Sequence, residues 1–387
     1  MFWIDGGVKL SRRRLLGACG ALLMGLGYPG VAGAADELVP VEELGSYQPL
    51  PKPTLQQAGG RLVLSDSPET LADAAQLPAV LYRDHVEGRC RVFYHHQNLT
   101  GRTLLIGTAV HNPTDRPAWI VQLGEGIGVD QYPDVAGQRA LASFLRGLAP
   151  AHSVRLLPPG GVLWALHPVE HGSTISGWQE LWAVDAPSSQ PPARLPRVPQ
   201  GLRPAGMLVA TLACLEPPAG PLTELPVLPG DEHTRGTFQH ADRLGRLEVG
   251  SAGGLQRLSV GTAAPGHPYS DPMPGEYELG YDAVEGRVVD NNGNYGVIYH
   301  LQVELVSAQP GRELVFALLM QPSGGFGHYV MEVGGQLKLS PFVSYRYAWL
   351  FHRARLRGRR TRLEITTALP GGAFGPQTLY FYPGYAG

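Results

Sequence analysis

The run YGVIYHLQVEL sets Tyr295, Val297, Tyr299, Leu301, Val303 and Leu305 on one side and His300, Gln302 and Glu304 on the other. A period of two is what a strand with one buried face requires; wound into a helix, the same residues would scatter their apolar groups around the axis. ELVFALLMQPSGG, HYVMEVGG, VSYRYAWLFHR, RTRLEITTAL and QTLYFYP continue the series, each closed by Gly, Pro or a polar turn. Short apolar runs between turn residues predict an all-β chain, read here as two immunoglobulin-like β-sandwich modules in tandem.

Proline places the boundaries. QPLPKPT near residue 50, APSSQPPARLPRVPQ at 186–200 and EPPAGPLTELPVLPGDE at 216–232 divide the chain. The expected plan is a linker at 35–60, a first module at 61–215, a second linker at 216–232 and a second module at 233–387. In the first module Ala79 to Arg83, Cys90 to Gln97, Thr103 to His111 and Pro117 to Leu123 read as strands, with HNPTDRPAW as the turn between the last two. Two short helices interrupt them. Ser67 as N-cap with Pro68 behind it predicts one through Ala75, and Asp134 opens another, near 134–148, carrying Leu141, Phe144, Leu145 and Leu148 at helical spacing.

Residues 1–34 read as a cleaved twin-arginine signal. Arg12 and Arg13 precede Leu15 and Leu16, a glycine-diluted apolar run follows, and Ala32-Gly33-Ala34 supplies a cleavage site. The apolar run is short for a membrane anchor, and Cys19 has no apolar core ahead of it, which argues against lipidation. No other segment reads as a membrane span. The formal net charge of −2 becomes more acidic once Lys9, Arg12, Arg13 and Arg14 are removed against Asp5, so a bulk nucleic-acid binder is excluded. Cys90 and Cys214 lie in apparent strands; a disulfide and two buried thiols both remain open, and neither has metal or redox spacing.

Several motifs invite a chemical reading. Asn294-Tyr295 is the pair in which copper amine oxidases oxidise tyrosine to a quinone, but their upstream Thr is Asn291 here and their downstream acid is Gly296. Their copper also takes a His-x-His pair, whereas His95 and His96 are adjacent and on a strand would face opposite ways. The stretch therefore reads as a turn of residues that tolerate positive φ. Asp290, Asn292 and Asn294 have calcium-loop spacing without its Gly and Glu. HPVEHG, His167 to Gly172, spells a zinc-protease signature, but Pro168 and Gly172 place it in a hairpin loop. No metal and no cofactor is expected.

Two groups remain as candidate contacts. RGTFQHADR and the turn before YGVIYHL offer Arg235, His240, Asp242, Arg243, Asn294 and Tyr295, a set suited to a hydroxylated or anionic ligand if the two segments meet. If they instead bond to turn backbone, they only close the end of a sandwich. Arg353, Arg355, Arg357 and Arg359 would share one strand face and form a polyanion patch, or a solvated hairpin.

VLYRDHVEGRCRVFYHHQN, HNPTDRPAWI, RGTFQHADR and GNYGVIYHLQ together resemble a group of exported proteins of Gram-positive bacteria. Some of these are labelled copper amine oxidase-like, after a stalk domain that relatives carry. The resemblance implies a cell-envelope setting and transfers no catalytic residue. The expectation is a secreted or cell-surface, non-enzymatic protein that binds a wall polymer, polysaccharide or surface protein. A carbohydrate-active hydrolase with hidden carboxylates and a purely structural envelope module are the alternatives.

Overall fold

In Ile298–Val306 the alternation is realised as burial: Leu301, Val303 and Leu305 are inside, while His300, Gln302 and Glu304 reach toward solvent. This strand pairs parallel with Asp242–Gly250 and antiparallel with Arg360–Thr367. Asp242–Gly250 alternates as strictly, with Arg243, Leu247 and Val249 inward. The computed structural model describes residues 37–148, 153–186, 203–262, 264–267, 270–309, 314–356 and 358–384. The expected export signal, Arg357 and residues 187–200 lie outside them.

The described chain is almost entirely β. Two six-stranded sheets, one containing Ile298–Val306 and the other Leu314–Pro322, pack inner residues such as Val303, Leu305, Phe316, Leu318 and Phe381 into one hydrophobic cluster. A four-stranded sheet and a nine-stranded sheet share a second cluster, with Ile106 and Val209 from one and Val63, Val92 and Tyr94 from the other. The expected boundaries do not separate these layers. Arg235–Phe238 pairs with Arg61–Ser65 inside the nine-stranded sheet, and Gln56–Ala58, from the expected linker, pairs with Asp242–Gly250. Arg91 bolts the crossing: its buried guanidinium meets Glu180 at 2.9 Å and Asp242 at 2.8 Å. Residues 36–387 therefore form one compact unit.

The helix expected from Asp134 runs over Pro133–Gly147, with Pro133 as its first residue. It lies directly on the strand Ala118–Asp130, and the sequence GEGIG makes this approach feasible. A Cβ at Gly126 would stand 2.1 Å from the Ala140 carbonyl oxygen, and one at Gly128 would stand 2.0 Å from that of Ala136. Alternate glycines face the helix, so backbone meets backbone without a side chain between. The other expected helix does not form. Thr70–Leu71 pairs with Gln97 and Asn98 instead, and only Ala74–Gln76 makes a 3₁₀ turn, capped by Asp73. Ser67 caps nothing; its hydroxyl accepts from the Asp231 N–H.

Two corners between the four- and nine-stranded sheets are built alike, from Asn98-Leu99-Thr100-Gly101-Arg102 and Asn112-Pro113-Thr114-Asp115-Arg116. In each, the Asn Oδ1 accepts from the N–H and the hydroxyl of the Thr, and its Nδ2 donates to the Arg carbonyl. Nδ2 also reaches a facing chain, at Val169 or at Leu157. Cys90 and Cys214 are buried free thiols. Among the described residues no helix is long and apolar enough to cross a membrane.

Candidate functional site

The residues expected to gather around a ligand are dispersed and mostly internal. Arg235 is buried against Asp282, Glu285 and the carbonyls of Leu81 and Leu228. Arg243, also buried, donates to the carbonyls of Glu276, His240 and Asp242. His240 bonds Glu278 at 2.9 Å, and the Asp242 carboxylate holds Arg91. Asn294, at φ 52°, donates to the Tyr299 hydroxyl. Arg243 and Asn294 thus meet only through Glu276, whose carboxylate accepts from Gly261, Thr262, Met273 and Tyr299. Burial raises the Glu276 pKa against the pull of those donors. This is a packed interior network that closes turns.

The Asn291–Gly296 segment is the turn its residues predict. Asn291 brackets Tyr295, accepting from its N–H and donating to its carbonyl. Asp290, Asn292 and Asn294 serve three different partners, Tyr277, Ala264 and Tyr299, so they form no cation cage. His167 lies on the strand Val162–Val169 while His171 and Gly172 form the following turn, which is not the one helix face a zinc protease uses. Of the arginine patch, Arg353 and Arg355 share a face of Tyr347–Leu356, but that strand ends before the exposed Arg359. Arg353 is paired with Glu37 at 2.5 Å.

A different constellation surrounds Tyr295. Its ring stacks on Phe93 and its hydroxyl donates to the Ala373 carbonyl at 2.7 Å. Tyr329 donates likewise to Phe374, so two tyrosines pin the loop Pro370-Gly371-Gly372-Ala373-Phe374. Gly371 roofs His95: a Cβ there would lie 2.4 Å from the imidazole Nδ1 and 2.8 Å from the Ser176 hydroxyl. Beneath this roof His95 is 1% exposed, and neither ring nitrogen has a hydrogen-bond partner. Its Nε2 is 3.9 Å from Glu69 Oε1; the other Glu69 oxygen meets His233 Nε2 at 2.8 Å, and His233 Nδ1 lies 3.2 Å from Asp231.

These environments drive the groups apart. Burial pushes His95 down to about 4, leaving it neutral at pH 7, while Asp231 and Glu69 push His233 up to about 11. The bond from His233 holds Glu69 below the usual carboxylate range, and burial raises Asp66, whose Oδ1 has no partner. His96 points the opposite way, toward Ser65 and the Pro68 carbonyl, as adjacent strand residues must.

The outer side of the same loop carries aromatic surface. Phe374 packs on Phe326 at 4.9 Å between ring centroids, and Phe326 on Phe342 at 5.5 Å. The three rings are 43%, 43% and 44% exposed. A two-residue ladder, Phe326–Gly327 against Val343–Ser344, carries Phe326 and stands next to Phe342 and the exposed Tyr345. At its border His328 touches Phe342 edge-on and pairs with Asp134 at 2.8 Å. The sequence holds a signal for this patch that strand periodicity passes over: GGFGHY, SPFVSY and GAFGP each set a Phe beside Gly or Pro, outside any alternating apolar run.

No family model matches the chain, and no curated protein matches it. Among solved structures the chain is similar to "Multicopper oxidase from Campylobacter jejuni: a metallo-oxidase", at 9% identity, with a TM-score of 0.13. The match covers 75% of this chain and 49% of that one, so the chain spans about half that oxidase's length. A likeness at this level carries no argument.

Proposed function

We propose that the protein is a non-enzymatic, extracytoplasmic polysaccharide-binding protein that holds a cell-envelope polymer on the platform formed by Phe326, Phe342 and Phe374. The observation that carries this reading is their mutual contact at the surface, each ring more than two-fifths exposed. Burying a phenyl side chain is worth about 1.5–3 kcal/mol, so a contiguous aromatic surface left in water calls for a partner. Sugar rings present C–H faces that stack on aromatic rings, and their hydroxyls bond to groups such as Asp134 and His328 at the border. A hydrolase would need its carboxylates to face a cleft; Asp66 and Glu69 are instead grouped with His95 and His233 beside a roofing loop. The envelope setting rests on the twin-arginine signal and on the resemblance to exported Gram-positive proteins. In this reading the two pairs of sheets act as two immunoglobulin-like sandwiches, interlocked by Arg235–Phe238 and Gln56–Ala58.

The test is an array of insoluble polysaccharides and wall polymers probed with the chain and with Phe326→Ala/Phe374→Ala. Retention on at least one polymer, lost in the double variant at unchanged melting temperature, supports the reading. Retention on none, with capture of a surface protein instead, would replace it by the protein-docking alternative.

A further inference from the structure

The four- and nine-stranded sheets close on each other along only part of one side. Where Ser153–Leu157 borders the strand Ala118–Asp130, the inward residues Ala118 and Ile120 are buried. That border ends at Gln122, and the inward residues beyond it, Glu125, Ile127 and Val129, are only half-buried. The last strand of the four-stranded sheet, Val162–Val169, pairs with Leu104–His111 alone, and its inward residues Leu163, Ala165 and His167 are half-buried too. Two sheet edges whose inner side chains stay partly in water leave a groove between the layers.

The bottom of this groove is polar. Thr108 donates to Gln179 Oε1 at 2.6 Å, and Gln179 Nε2 donates to Glu125 Oε1 at 2.8 Å, one run of bonds from sheet to sheet. In register Thr108 lies beside Ala165 and Gln179 beside Glu125, so the two edges meet across this run. Tyr94 reaches the same place from deeper in the nine-stranded sheet. Its ring lies over Gly177, where a Cβ would stand 2.5 Å from the hydroxyl, and Gly177 is the register partner of Ile127. Tyr94 is 0% exposed, yet its hydroxyl has no hydrogen-bond partner, and neither has His167 Nε2. Burial raises the Tyr94 phenol and lowers the His167 imidazole, and Glu125 is the charged group that acts on each. Glu125 itself, among the described residues, forms no ion pair. Each unsatisfied buried group costs on the order of 1–3 kcal/mol, and interiors avoid them unless something completes the site.

We propose that this groove binds a small polyhydroxylated molecule carrying an ammonium group, of the hexosamine class. The Glu125 carboxylate, which lacks a cation of its own, takes the ammonium group. The Tyr94 phenol and the His167 imidazole, each able to donate or accept, take ring hydroxyls. Ile127 and Leu163, apolar side chains that pack on the core from the two lips, cover the C–H faces of the ring. The site shares no residue with the phenylalanine platform and does not depend on it.

The experiment is calorimetric titration of the chain with glucosamine, its amine protonated, beside glucose and N-acetylglucosamine. One glucosamine per chain is expected. Glucose and N-acetylglucosamine should bind at least about tenfold more weakly, since neither brings a cation to Glu125. Glu125→Gln keeps an oxygen for the Gln179 amide and should also weaken glucosamine at least about tenfold. Tyr94→Phe removes a hydroxyl that bonds nothing in the protein, so the melting temperature should hold while glucosamine binds at least about threefold more weakly. Tyr94→Phe therefore remains informative if Glu125→Gln fails to fold. Absence of glucosamine binding would overturn the proposal, as would glucose binding as tightly as glucosamine. Binding that Tyr94→Phe and Glu125→Gln both leave unchanged would put the sugar elsewhere and overturn it as well.

Discussion

The Tyr295 phenol donates to the Ala373 backbone carbonyl across 78 residues of sequence, at 2.7 Å. One hydrogen bond therefore joins the turn that opens strand Ile298–Val306 to the glycine-rich loop that roofs His95 on one side and carries Phe374 on the other. Tyr295→Phe keeps the stack on Phe93 and removes only that bond. We expect a loss of about 1 kcal/mol, read as a lower urea midpoint at unchanged slope, with faster amide exchange confined to residues 370–375. An unchanged midpoint and unchanged exchange would mean that the loop is held without Tyr295.

Glu276 collects donors from Gly261, Thr262, Met273 and Tyr299 in a buried site. Glu276→Gln puts an amide N–H₂ where donors already point. The expected cost is at least about 2 kcal/mol, since a buried donor is then left facing donors. Chemical denaturation measures it; a cost under about 0.5 kcal/mol would contradict the network described.

The glycine stripe under the helix makes a matched pair of predictions. Gly126→Ala forces a Cβ into the Ala140 carbonyl and the Phe144 N–H, both backbone, and should cost about 2 kcal/mol or more. Gly206→Ala places its Cβ in open space at the start of strand Gly206–Cys214, and should fall within about 0.5 kcal/mol of the parent. Equal effects at the two positions would refute direct helix-on-sheet packing.

Cys90 and Cys214 are buried, and burial pushes the Cys214 thiol up to about 11 and Cys90 higher still. Since the thiolate is the reactive form, neither should react with a disulfide reagent at pH 8 in the folded chain, and both should react after unfolding. Rapid labelling of either in the native state would contradict their burial.

Strands were legible wherever one face is buried, because local alternation records burial directly, as in Leu301, Val303 and Leu305. The helix from Pro133 was legible from its proline and its apolar stripe. Pairing across the chain was not. That Arg61–Ser65 meets Arg235–Phe238 leaves no local trace, and so two segments with a proline-rich stretch between them share one sheet. Charged residues misled for a related reason. Arg235 looks available in sequence, yet its partners Asp282 and Glu285 lie 47 and 50 residues on, and once paired it is structural. Ser67 and Pro68 carry a helix-start signal, but Thr70 and Leu71 take partners from Gln97 and Asn98. Phe326, Phe342 and Phe374 leave no periodic signal, because each stands next to Gly or Pro in a segment without apolar alternation.

The most direct test of the account is the affinity of the chain for the polysaccharide that the array selects, compared among wild type, Phe326→Ala, Phe374→Ala and the double variant. With the rings already more than two-fifths exposed, all four should unfold at closely similar temperatures. The account predicts that the double variant binds at least about tenfold more weakly, about 1.4 kcal/mol. Unchanged affinity in the double variant, on a polymer that the wild type binds, would contradict the platform as the binding surface.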